Sequence, residues 1–199
     1  RINSEHWNSL TRGLQFCILL PVTALSAHLA KVFHQTRASV SNMPRYWLLK
    51  SEPDEFSIGD LETQVTGRWD GIRNYQARNH IRDMNEDDIA FFYHSSCKEP
   101  GIVGAMTITS TAYADPTAVE KGGKYYDKRA AEVNPWASVN IKFFEKYDNP
   151  LYLPQIKTLP LGACPLTARG NRLSVIPLTE DQYQLLSREV KLLNESDES

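Results

Sequence analysis

Ile89-Ala90-Phe91-Phe92-Tyr93 is apolar on both faces of an extended chain. A half-buried strand alternates apolar and polar residues, whereas one without a polar face must be covered on both sides. This run therefore predicts the central strand of a sheet. Outward from it, Tyr46-Trp47-Leu48-Leu49 is a second short run rich in aromatics, stopped by Lys50-Ser51-Glu52-Pro53. Ile102 to Tyr113 is rich in small and β-branched residues and predicts a bent strand, with Gly104 at a close backbone approach. Val139, Ile141 and Phe143 alternate with Asn140 and Lys142, the pattern of a half-buried strand. Leu173 to Ile176 predicts another short strand, closed by Pro177. Ala114 to Pro135 is polar, holds Gly122-Gly123, and reads as a long excursion.

Helices punctuate these strands. Ser57 with Asp60 three residues on is an N-cap signal, and Gly67 keeps that helix short. Asn74 can cap a second helix, whose Ala77, Ile81 and Met84 fall on one apolar face before the acidic turn Asn85-Glu86-Asp87-Asp88. Thr179 and Gln182 form a capping box for the last helix. Leu178 can staple to Tyr183, and Tyr183, Leu186, Val190 and Leu193 make its apolar stripe. Strands dominate the middle of the chain without a regular βαβ alternation. The fold class is α+β: a mixed β-barrel, open or closed, with peripheral helices, rather than a Rossmann sheet.

At 199 residues the chain fits one domain, or one domain with a tail. Its 22 basic and 24 acidic residues give a net charge of −2. That excludes a generally basic nucleic-acid coat protein and leaves room for a small basic pocket. Cys17, Cys97 and Cys164 form neither a CxxC pair nor an even framework, so neither a disulfide scaffold nor a cysteine zinc site is expected. Residues 1–42 differ in kind: they carry four basic side chains and one acidic. Their apolar stretch, Leu14 to Ala30, is interrupted by Gln15, Pro21, Thr23, Ser26 and His28, too often for a membrane span. Residues 1–42 read as an N-terminal extension outside the fold, ahead of a start at Met43; a signal peptide or amphipathic anchor is the rival reading. Residues 43–193 read as the folded domain, and 194–199 as a frayed acidic tail.

Chemistry is sparse. Neither GxGxxG, GxxxxGK[ST] nor GxSxG occurs. Outside residues 1–42 the histidines are His80 and His94, without ligand spacing, so no metal and no cofactor is expected. His94 and Ser95 are neighbours on a strand and point to opposite faces, which argues against a nucleophile–base pair. Trp69-Asp70-Gly71-Ile72-Arg73-Asn74-Tyr75-Gln76-Ala77-Arg78-Asn79 stands out for polar density beside aromatics. Flat rings can stack a base; Arg, Asn and Gln can bond base edges, and Arg can also hold phosphate. An ordinary turn and solvated helix would account for the same residues. Two further polar patches, Lys50-Ser51-Glu52 and Arg169-Gly170-Asn171-Arg172, sit at strand ends.

Taken in order, Trp47-Leu48-Leu49-Lys50-Ser51-Glu52-Pro53, the Trp69–Asn79 segment, Phe92-Tyr93-His94-Ser95 and Arg172-Leu173-Ser174-Val175 closely resemble the EVE domain family. Tyr113-Ala114-Asp115-Pro116 adds to the likeness, with Ala114 where the family often has proline. The resemblance runs from Met43 to about Leu193. It implies a PUA-like fold, related to YTH, ASCH and SRA modules, and a non-catalytic module for nucleic acid carrying 5-methylcytosine or 5-hydroxymethylcytosine, DNA ahead of RNA. It implies a base-binding pocket with Trp69 as a wall and Tyr93, Lys50, Ser51 and Glu52 nearby. Arg73 and Asn74 would stand at its mouth, with His94, Ser95, Arg172, Leu173 and Ser174 lining it, and Arg78 and Arg169 on the nucleic-acid backbone. The expected setting is the cytoplasm, with no membrane contact. Two alternatives stand beside it: a small hydrolase using His94 and Glu52 as acid and base, and a protein-interaction module on the same fold.

Overall fold

The computed structural model describes residues 43–195. The extension expected over 1–42 and the last four residues of the expected tail lie outside the described residues. Seven strands and four α-helices follow in order: β1 (Tyr46–Ser51), α1 (Ile58–Gln64), β2 (Thr66–Trp69), α2 (Tyr75–Arg82), β3 (Ile89–His94), β4 (Gly101–Ile108), β5 (Tyr113–Ala114), β6 (Ala137–Tyr152), α3 (Leu153–Ile156), β7 (Val175–Leu178) and α4 (Glu180–Glu195).

The strands form one mixed sheet of order β2-β6-β4-β3-β1-β7, with β5 added on β6. It curls without closing strictly, since β2 and β7 are its two ends. As its two apolar faces require, β3 lies inside the sheet, between β4 and β1. Phe91 packs against Tyr183 of α4 at 5.0 Å, while Phe92 meets Trp69 at 5.3 Å and Phe56 at 5.9 Å. The two faces of one strand thus anchor the C-terminal helix on one side and the site-bearing aromatics on the other. β1 pairs with β3 in parallel; the other ladders are antiparallel. The carboxyl ends of β1 and β3 therefore open at the same edge, and that edge carries the site.

The helix caps form as the sequence predicts. Ser57 and Asp60 bond reciprocally at the start of α1. Asn74 accepts from the N–H groups of Gln76 and Ala77. Thr179 and Gln182 exchange bonds of 3.1 and 3.2 Å ahead of α4. Leu186 and Val190 bury the stripe of α4, and Tyr183 stacks on Tyr46 at 4.1 Å. This helix runs to Glu195, two residues into the expected tail, with Asn194 bonded to the backbone of Asn149.

The strands depart from expectation in four places. β2 escapes the apolar pattern because Thr66, Gly67 and Arg68 make it a polar edge strand. β4 stops at Ile108, and Tyr113–Ala114 peels away to pair with β6. β6 runs on to Tyr152, well past its alternating segment, and its pairing with β4 shifts register twice. Pro177 lies within β7 rather than closing it, which an edge strand tolerates because one row of its N–H groups has no ladder partner to lose. The close approach expected at Gly104 is present: a Cβ there would stand 2.5 Å from the Glu145 carbonyl oxygen and 2.8 Å from the Ile58 side chain.

Val65, the C-cap of α1, has φ 64° and ψ −40°. A β-branched residue is strained at positive φ, and this one is exposed, with little packing to lose. Val65→Gly should therefore stabilise the fold by about 0.5–1.5 kcal/mol. The check is a higher urea midpoint with an unchanged slope; an unchanged or lower midpoint would refute the strain.

Candidate functional site

At the edge where β1, β2 and β3 end lies a cleft of about 830 Å³. Its floor is fastened by backbone bonds between neighbouring strand ends. Ser95 N–H donates to the Ser51 carbonyl at 2.8 Å, and Lys50 N–H donates to the Ser174 carbonyl at 2.8 Å. Lys50 and Ser51 end β1 and Glu52 follows; Trp69 ends β2 and Asp70 to Asn74 follow; Ser95 and Ser96 follow β3, and Asn171, Arg172 and Ser174 lead into β7. The polar patches that lay far apart in sequence converge here because parallel pairing puts two strand ends side by side.

Trp69 lines the cleft but is only 5% exposed. Phe56 at 6.3 Å and Phe92 at 5.3 Å meet it edge-on and fix its ring. Its indole N–H has no hydrogen-bond partner among the described residues. The other two described tryptophans do have one: Trp47 donates to Asp88 at 2.8 Å and Trp136 to Asp127 at 2.9 Å.

Arg73 lines the cleft as well, yet all five of its N–H donors are taken inside the protein. One Nη1 bond goes to Asp115 at 2.7 Å and the other to the Ile72 carbonyl at 2.9 Å. Nε reaches the Tyr125 carbonyl at 2.8 Å. Nη2 donates to that same carbonyl and, at 3.1 Å, to Thr117. Asp115 is fully buried; it also accepts from Gly71 N–H at 3.1 Å and from the Thr117 backbone and hydroxyl at 2.8 and 2.7 Å. Burial alone would raise the Asp115 carboxyl, but the bonds from Arg73 and Thr117 outweigh it and hold the group below the usual carboxylate range.

This pair ties the excursion 114–136 over the cleft. Tyr125 from that excursion becomes a wall: its ring lies so close to Gly71, at φ +72°, that a Cβ there would stand 2.9 Å from it. Its hydroxyl donates to Glu55 at 2.5 Å, and Lys124 pairs with the same carboxylate. Tyr125, Phe56, Glu55 and Lys124 were not among the expected site residues. Phe56 sits in a polar stretch after Pro53, and Tyr125 is brought across by contacts invisible in sequence, the Arg73 lock and the bonds to Glu55.

Lys50 is half-buried above the Tyr93 ring at 5.5 Å and has no carboxylate within salt-bridge distance among the described residues. Burial pushes its ammonium pKa down. Tyr93 itself is buried behind Lys50 and does not line the cleft; burial raises its hydroxyl to about 12. His94 does not line the cleft either. Its Nε2 accepts the Ile58 N–H at 3.2 Å, and burial lowers its pKa against a weaker pull from Asp60. Leu173 is core, while Arg78 and Arg169 lie outside the cleft. Glu52 and Arg172 line the cleft and are exposed. Among the described residues no cluster of His, Cys, Asp or Glu could hold a metal ion, and no helix is long and apolar enough to cross a membrane.

A curled mixed sheet with peripheral helices and a polar cleft at its strand ends defines an α+β domain of the PUA-like kind. The chain belongs to the EVE domain family, which matches residues 45–189. Thymocyte nuclear protein 1 of Mus musculus is 42% identical over 73% of each chain. Among solved structures, a protein from Pseudomonas syringae is 49% identical with a TM-score of 0.71, covering 73% of this chain and 99% of its own. The human THYN1 protein, solved in complex with 5-methylcytosine-containing DNA, is 37% identical with a TM-score of 0.65, covering 74% of this chain and 96% of its own.

Removing one partner of a buried ion pair leaves the other charge unpaired, so Asp115→Ala should destabilise the domain by about 3–5 kcal/mol. The stabilisation from Asp115 is present above the unfolded carboxylate pKa of about 4 and is lost as pH falls through the lowered folded value. Denaturant melts of the variant at pH 7 provide the check; a midpoint equal to that of the unaltered protein would refute the lock.

Proposed function

We propose that this chain is a non-catalytic nucleic-acid-binding module. It takes one modified base, of the 5-methylcytosine or 5-hydroxymethylcytosine type, into the cleft, with DNA as its polymer ahead of RNA. The observation that carries the reading is the human THYN1 protein of like fold, solved with 5-methylcytosine-containing DNA. The cleft supports it: about 830 Å³ is within the ordinary range of ligand pockets, roughly 300–1,000 Å³. Extruding a base costs a few kcal/mol, which stacking and edge hydrogen bonds must offset. Tyr125, Phe56 and Trp69 offer ring surface, and the unpartnered Trp69 N–H is a donor for a base acceptor. Lys50, Ser51, Glu52, Asn74, Ser95, Arg172 and Ser174 supply further polar contacts. Arg73 serves by holding the wall that Tyr125 forms. A 5-methyl group adds little contact, so discrimination against cytosine should be about 1–3 kcal/mol.

The hydrolase alternative loses support at His94. Its Nε2 lone pair is engaged by Ile58, and it does not share the cleft with Glu52.

The test is a low-salt titration with matched oligonucleotides carrying cytosine, 5-methylcytosine or 5-hydroxymethylcytosine. Trp69→Ala is a poor probe, because truncating a buried tryptophan costs about 3–5 kcal/mol of stability. Tyr125→Ala keeps the carbonyl that Arg73 grips and removes only ring and hydroxyl. It should weaken modified-strand binding by about 1–3 kcal/mol. Equal binding to modified and plain strands, or no loss in Tyr125→Ala, would refute the reading.

A further inference from the structure

Beyond the cleft, the exposed flank of α2 carries a second concentration of rings and cations. Tyr75, the first residue of α2, is 50% exposed, high for an aromatic beside a core. The Arg78 guanidinium lies 4.9 Å from its ring centroid. Arg82, one turn on, is exposed and, like Arg78, donates to the Pro135 carbonyl. The excursion adds Lys128 and Arg129, with the Arg129 side chain beside Tyr75. Of these four cations only Arg129 has a carboxylate partner within salt-bridge distance among the described residues, Asp127.

The patch adjoins the cleft, with packed side chains between them. Tyr75 contacts Trp136 at 4.9 Å, Trp136 contacts the Arg73 guanidinium at 5.3 Å, and Arg73 contacts Tyr125 at 5.6 Å. Tyr125 is a cleft wall, and Asn74, the neighbour of Tyr75, lines the cleft too. A protein whose net charge is −2 has no general reason to gather cations around an exposed ring. Stacking surface ringed by positive charge is what single-stranded nucleic acid requires: bases have flat faces, and phosphates follow at each step.

We infer that the Tyr75–Arg78 face is a landing platform for single-stranded DNA flanking the base in the cleft. An adjacent base rests on the open part of Tyr75 and the Arg78 plane, and its phosphates run along Arg82 and Lys128. The inference rests on the reading of the cleft as a base site. It adds that the protein binds several nucleotides, and that strands opened or unpaired beside the modified base are preferred to a lone nucleoside.

The experiment measures affinities of the full chain for three probes at several salt concentrations: 5-methyl-2′-deoxycytidine, a single-stranded nonamer with one central 5-methylcytosine, and the unmodified nonamer. The modified nonamer should bind at least tenfold more tightly than the nucleoside. Tyr75→Ala should cost both nonamers about fivefold or more while leaving the nucleoside and the modified-to-plain ratio unchanged. Tyr75→Phe, which keeps the ring, should restore nonamer binding. Lys128→Ala should lower the salt slope by about one. Nonamer binding untouched by Tyr75→Ala, or a loss shared equally by the nucleoside, would overturn the platform. Should the unaltered protein show no preference for the modified strand, the cleft reading falls, while the Tyr75 dependence of plain-strand binding still decides the platform. Absence of any strand binding overturns both.

Discussion

The ion pair between Arg73 and Asp115 is the interaction on which the site depends. It joins the segment after β2 to the start of a long excursion that has little regular structure of its own. Loops of this length are ordinarily mobile and polar. Here a buried carboxylate accepts four hydrogen bonds and a guanidinium exhausts its donors, so the excursion is tied to the segment after β2. Such a pair is expensive to desolvate and adds little net stability over an apolar substitute. What it supplies is position: Tyr125 and Trp136 are set at fixed distances from α2 and from the mouth of the cleft.

The same economy runs through the polar groups at the sheet edge. Asn74 caps α2, His94 accepts from the amide at the start of α1, and Asn171 accepts from the Leu173 N–H. Each spends at least one acceptor beside the cleft on the fold. The donors left over are the Trp69 indole N–H, the Lys50 ammonium, the Arg172 guanidinium and the Asn74 side-chain NH2, whose oxygen alone is taken by the cap. A binding site is defined by its unspent donors rather than by its polar density, and structure alone separates the two.

Much of the fold was legible because its signals are local. The Ser57, Asn74 and Thr179 caps depend on residues a turn away, and the doubly apolar Ile89–Tyr93 run admits no edge position. β2 was not legible, since an edge strand with Thr, Gly and Arg carries no alternating burial pattern. The length of β6 was hidden for a similar reason: beyond Phe143 the strand leaves the core and Phe144 is exposed, so alternation lapses while pairing continues. At the site, sequence order gave the Lys50, Trp69, Ser95 and Arg172 neighbourhoods, and parallel pairing of β1 with β3 gathers them. It could not give Tyr125, placed by a contact more than fifty residues long in sequence. Nor could it tell that Arg73 faces inward, since an arginine in a polar segment reads the same whether it bonds phosphate or a buried aspartate.

The proposed site takes the base in beside Trp69, whose indole N–H awaits an acceptor. The most direct measurement follows the tryptophan indole N–H resonances during titration with 5-methylcytosine-containing DNA. The Trp69 resonance should move downfield and saturate with binding, while Trp47, already bonded to Asp88, stays in place. Saturable DNA binding with the Trp69 indole resonance unmoved would place the ligand elsewhere and rule out this base site.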